Sequence, residues 1–227
     1  ALPILKKYAI PATVFVSTGF LNGGRMWNDS VIEVFRNFDG DKLDLSELDL
    51  GCYSLQTNSQ RLAAVDSIIQ RIRHLDPVIR AALVNAIEMR AVALPNDLML
   101  TDAQIQSLAR NGVTIGGHTV NHPILSSVSG AVAHREMQES KSYLEQLLQK
   151  QIEVFAYPNG RPGLDYNNDH RDMVEALGFK AAVSTHWGVS TRESDRFQLP
   201  RFTPWDRQEL RFAIRLLAGY RQVDPLT

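Results

Sequence analysis

Val113-Thr114-Ile115-Gly116-Gly117-His118-Thr119-Val120-Asn121-His122-Pro123 reads as a short strand, a backbone opened by two glycines, and two histidines four residues apart. The strand end is where α/β folds with parallel strands place their chemistry. Two imidazoles at this spacing can serve one metal ion. Neutral imidazole suits zinc, iron, nickel, cobalt and copper, so the pair alone does not choose among them. The zincin helix motif requires Glu directly after the first His; Thr119 stands there, which argues against a metalloprotease. From the spacing alone, two loop histidines that only hydrogen-bond locally fit equally well.

The flanking chain alternates strand and helix patterns. Downstream, a helix is expected over about Val132–Gln149, with Met137, Leu144, Leu147 and Leu148 on its apolar side, then a strand over Ile152–Tyr157 ending in Pro158-Asn159-Gly160. A helix at about Asp169–Leu177 stops at Gly178, Phe179–Ser184 is a further strand, and Leu199–Phe202 is a short extended segment. Asp206 and Glu209 are expected to cap a last helix running to about Ala218. Upstream, Leu2–Tyr8 is helical and Ala12–Ser17 is a strand of β-branched and aromatic residues. Between about 28 and 98 the pattern turns mainly helical: Leu62, Val65, Ile68, Ile69 and Ile72 share one face, and a second helix follows Asp76-Pro77. Leu43–Leu45 and Leu48–Leu50 alternate and predict a small hairpin. The segment reads as an insertion in one loop of a single domain spanning 1–227.

Composition narrows the function. The 227 residues are 44% hydrophobic and 22% charged, with a net charge of -1, so no basic excess points to nucleic acid. The single cysteine, Cys52, leaves no internal disulfide and no thiolate cluster. No apolar run approaches the ~20 residues of a membrane span.

Taken in order, Ala1–Val16, Gly117-His118-Thr119-Val120-Asn121-His122-Pro123, Phe155-Ala156-Tyr157-Pro158-Asn159-Gly160 and Leu199-Pro200-Arg201-Phe202 resemble the segments of the polysaccharide deacetylase, or NodB-homology, family. The third resembles the variant of exopolysaccharide-associated members. The resemblance implies an α/β fold of the deformed (β/α) barrel type and metal-dependent removal of acetyl groups from an N-acetylhexosamine polysaccharide, an exopolysaccharide or a cell-wall glycan. It implies work in the cell envelope or outside the cytoplasm. It implies His118 and His122 as ligands of a divalent metal, zinc with cobalt or nickel as alternatives. The backbone N–H of Asn159 becomes an oxyanion donor, and Tyr157, Pro158 and Gly160 line the substrate. His186 is the candidate acid, with a plain loop histidine as the other reading, and Trp187 and Trp27 are aromatics that could stack on sugar rings or simply pack.

Two departures stand out. The family's first motif is a strand ending in an Asp-Asp pair, one the general base and one the third ligand; no Asp-Asp pair occurs in the 227 residues. The expectation is that this strand precedes Ala1 and that the chain without it is inactive. Ala156 stands where many members carry an arginine that orients the base, and Arg201 is the candidate replacement, unless it is a surface or structural arginine. A non-catalytic glycan-binding relative and a different metal-dependent amidohydrolase are the competing readings.

Overall fold

The structure, a computed structural model, describes residues 1–91, 93–202 and 206–219. In chain order the elements are α1 (Leu2–Lys7), β1 (Thr13–Val16), α2 (Trp27–Asn37), β2 (Lys42–Leu45), β3 (Gly51–Ser54), α3 (Asn58–Ile72), α4 (Pro77–Glu88), α5 (Asp102–Arg110), β4 (Thr114–Gly117), α6 (Gly130–Leu148), β5 (Val154–Ala156), α7 (Asn168–Ala176), β6 (Ala181–Val183) and α8 (Glu209–Gly219). They fall into two compact units, residues 1–19 with 102–227, and residues 20–101.

The first unit is built on a parallel sheet in the order β1-β4-β5-β6. Its register aligns Val16 with Gly117, Gly117 with Phe155, and Ala156 with Val183. All four strands therefore end at one edge of the sheet. Ser17, His118, Tyr157 and Ser184, each the next residue along, are brought to that edge. Each crossover between β4, β5 and β6 carries a helix, as parallel pairing requires. Gly116 allows the sheet to close up locally: a Cβ there would lie 2.5 Å from Phe15 Cδ1 and 2.9 Å from the Val154 carbonyl oxygen. Helix α6 starts at Ser129, whose hydroxyl accepts the Val132 N–H, and buries Ala133, Met137, Ser140 and Leu144 at helical spacing. Strand β6 is extended on its far side by Leu199, which exchanges backbone hydrogen bonds with Ala182 and Ser184.

The second unit has a hydrophobic core of its own. Val31, Val34 and Phe35 from α2, Leu43 and Leu45 from β2, Ile68 and Ile72 from α3, and Val84 and Ile87 from α4 meet in it. Thr57 and Gln60 form a reciprocal capping box at the start of α3, and Asp76 accepts the Val78 and Ile79 amides at the start of α4. The hairpin differs from the expected one. Its second strand is Gly51–Ser54, because Ser46–Leu48 curls into a 3-10 turn that ends with Asp49 in the left-handed region at φ 55°. Trp27 lies in this unit with the Arg80 guanidinium over its ring at 4.9 Å, so a packing partner already occupies one face. In the first unit, Asp206 takes the Arg215 guanidinium, and α8 begins at Glu209.

Candidate functional site

The expected site residues gather where the strands end. His118 follows β4 directly, and its backbone N–H still bonds the Val16 carbonyl at 3.1 Å. Its ring Nδ1 lies 2.7 Å from the Ala156 carbonyl oxygen. A carbonyl only accepts, so Nδ1 carries the proton and donates it, which leaves Nε2 as the nitrogen with a lone pair to offer. Burial pushes the His118 pKa down to about 4, and the neighbouring His122 and Arg201 add to that fall against the opposing bond to Ala156. The ring is therefore neutral at ordinary pH, the form that binds a metal.

His122 comes to lie against it, the two ring centroids 4.7 Å apart with planes at 78°. Two nitrogens on one tetrahedral ion sit about 3.3 Å apart, from bonds of roughly 2.0–2.1 Å. The pair is close enough for both rings to reach one ion. Among the described residues, no group of three or more His, Cys, Asp or Glu side chains is placed to hold a metal. The arrangement thus fits two positions of a ligand set.

The loop between the two histidines is unusual backbone. Thr119, buried and β-branched, sits at φ 65°, and His122 at φ 52°. A β-branched residue in the left-handed region persists only where its surroundings over-determine it. The Thr119 hydroxyl donates to the His118 carbonyl at 2.5 Å and accepts the His122 N–H at 3.0 Å. The Ser17 hydroxyl donates to the same His118 carbonyl at 2.9 Å.

Beside this pair runs the loop after β5. Asn159 is exposed, at φ 55°, and its N–H donates to no protein acceptor among the described residues. Its carbonyl accepts the Thr185 hydroxyl at 2.7 Å, and the Gly160 carbonyl accepts the Thr185 N–H at 2.8 Å. These bonds tie the loop to the end of β6. Arg201 is half-buried; its Nε donates to the Ser184 carbonyl at 2.6 Å, and its backbone N–H donates to that of His186 at 2.8 Å. Its charge adds a small share to the downward shift of His118. His186 is half-buried, its N–H on the Ser184 hydroxyl at 3.2 Å. Trp187 packs on Phe202 with ring centroids 4.6 Å apart.

Tyr157 corrects one expectation. It is fully buried, stacked on Tyr166 at 3.7 Å, and its hydroxyl donates to the Phe197 carbonyl at 2.9 Å. That leaves no side-chain surface for a sugar, and burial drives the hydroxyl pKa far up. Pro158 and Gly160 are likewise buried, so of Tyr157–Gly160 only Asn159 is exposed.

Sequence reasoning missed Glu136. From α6, its carboxylate accepts the N–H groups of Val120 and Asn121, inside the histidine loop. No local signal marks a helix residue that acts on a loop 15 and 16 residues back along the chain.

The polysaccharide deacetylase family model matches residues 57–182, more than half of the chain. YxkH of Bacillus subtilis (strain 168), a protein that carries a polysaccharide deacetylase name, is 28% identical over 102 residues, 45% of this chain and 35% of that protein. The chain thus spans about a third of the length of this curated relative. Among solved structures, it is similar to IcaB from Ammonifex degensii, at 16% identity over 96% of this chain and 66% of that one, TM-score 0.53. It is also similar to the BpsB deacetylase domain of Bordetella bronchiseptica, at 16% identity over 88% and 63%, TM-score 0.51. The deacetylase PplD of Streptococcus pyogenes, solved in complex with acetate, shares 24% identity over 88% and 56%, TM-score 0.50. These likenesses carry the fold; the family match carries the assignment, and the chain belongs to the polysaccharide deacetylase family.

Proposed function

We propose for this chain a metal-dependent hydrolase activity that removes acetyl groups from an N-acetylhexosamine polysaccharide, an exopolysaccharide or a cell-wall glycan. The observation that carries the reading is the convergence of His118 and His122 at the strand ends, with His118 held neutral and its Nδ1 committed to Ala156. When bound, a divalent metal, zinc with cobalt or nickel as alternatives, supplies Lewis acidity toward the acetyl carbonyl and makes a water more acidic. His118 and His122 hold it. The Asn159 N–H, exposed and pre-set by the Thr185 bonds, is positioned to stabilise the developing oxyanion. Arg201, fixed by the Ser184 and His186 carbonyls, orients a carboxylate base. His186 is the candidate acid for the leaving amine, and Trp187 the candidate sugar platform.

The third ligand and the base are assigned to residues outside these 227, because the sequence holds no Asp-Asp pair. The chain alone should then release acetate about 10²–10⁴-fold more slowly than one extended upstream through such a strand, the usual worth of a positioned base. The assay is acetate release from a chitin oligomer and from an acetylated exopolysaccharide, with zinc or cobalt added. Equal rates for the two chains would place the base within the 227 residues and refute the assignment. Polymer binding with no acetate from either chain would favour a glycan-binding relative.

We also read the chain as one deacetylase domain with a helical insertion at about 28–98, within the compact unit 20–101. Calorimetry of the whole chain should then give one cooperative transition. Two transitions, one reproduced by residues 20–101 alone, would overturn that reading.

A further inference from the structure

The histidine loop leans on Glu136. One oxygen, Oε2, accepts the Val120 N–H at 2.9 Å and the Asn121 N–H at 2.7 Å. The other, Oε1, accepts the Asn121 side-chain amide at 2.8 Å. Two consecutive amides converging on one ionised oxygen are charge-assisted bonds, roughly twice as strong as neutral ones. The opposite side of the loop is held by the end of β1: Thr18 N–H donates to the Thr119 carbonyl at 3.2 Å, and Gly19 N–H to the Val120 carbonyl at 2.9 Å. The peptide groups between the histidines are thus gripped from two sides while Thr119 and His122 keep their left-handed conformations. Glu136 is itself anchored, since its neighbour Met137 is fully buried on α6.

We propose that Glu136 is the positioning residue of the His118–His122 pair: its carboxylate fixes the loop so that both imidazoles are presented together, and it sets metal affinity without ligating the metal. This rests on the metal-dependent reading above. Partners that orient ligands from outside the ligand set typically change metal affinity about 10–100-fold when removed.

Glu136→Ala, Glu136→Gln and the exposed helix control Glu139→Ala test this in the full chain. Two readouts are needed: amide hydrogen exchange at Val120 and Asn121 without metal, and Co(II) titration followed by visible absorption. Glu136→Ala should speed both amides by about tenfold or more. It should weaken Co(II) binding about 10–100-fold and alter the absorption band at saturation. Glu136→Gln, which keeps a carbonyl oxygen and serves if the alanine variant does not fold, should fall between. Glu139→Ala should match wild type. Folded Glu136 variants with wild-type Co(II) affinity and spectrum would overturn the inference alone, whatever the amides do. Co(II) uptake by neither the wild-type chain nor one extended upstream to supply the third ligand would overturn the metal reading, and the inference with it.

Discussion

In a chain extended upstream through the Asp-Asp strand, His118→Ala should lower acetate release from an acetylated polysaccharide by at least about a thousandfold, since a Lewis-acid metal supplies several kcal/mol of charge stabilisation and each 1.36 kcal/mol is tenfold. His118 is prepared as a ligand: neutral, with its tautomer fixed by Ala156. His122→Ala should cost a comparable factor, and the double variant little more, because two ligands of one ion act as a unit. Bound metal, measured after dialysis, should fall in parallel with activity. The variants should keep their fold, because the pair lies at the strand ends and not in the core. A His118→Ala protein with undiminished activity and metal content would remove the histidine pair from the chemistry.

Phe155→Ala should destabilise the protein by about 4 kcal/mol, within the 3–5 typical of emptying a buried phenyl site. Phe155 is fully buried in the middle of the three-residue β5, edge-on to Tyr157 at 5.4 Å and tilted against Phe179 at 5.2 Å. The next residue, Ala156, supplies the carbonyl that orients His118, so the loss reaches the site as well as the core. The urea midpoint should fall with little change in slope, and metal affinity should weaken with it. A loss below about 1 kcal/mol would mean that the site collapses around the missing ring and that β5 is held by something else.

How much of this was legible in the sequence follows from distance along the chain. The strands after residue 100 announce themselves as short apolar runs bounded by turn residues, and their ends moved by only one or two positions. The histidine pair was legible because both histidines lie within five residues. The hairpin was displaced because alternation at Leu48–Leu50 says nothing of the left-handed turn at Asp49 that postpones the strand. Tyr157 was misplaced because tyrosine suits both a wet surface and a core. Its partner Tyr166 and the Phe197 carbonyl, which settle the matter, are nine and forty residues away. Glu136 and Ser17 reach the loop from other elements, and only the fold brings them there. Arg201 lay between the two cases: its segment could be picked out, but its grip on the Ser184 carbonyl could not.

The central claim is that His118 and His122 ligate one ion together. Its most direct test is X-ray absorption of the zinc-loaded chain, with His118→Ala and His122→Ala alongside. The account predicts one zinc per chain with two imidazole nitrogens at about 2.0–2.1 Å in the wild type, and one such nitrogen, or no bound zinc, in either variant. A wild-type spectrum without histidine scattering, or one that neither substitution changes, would contradict it.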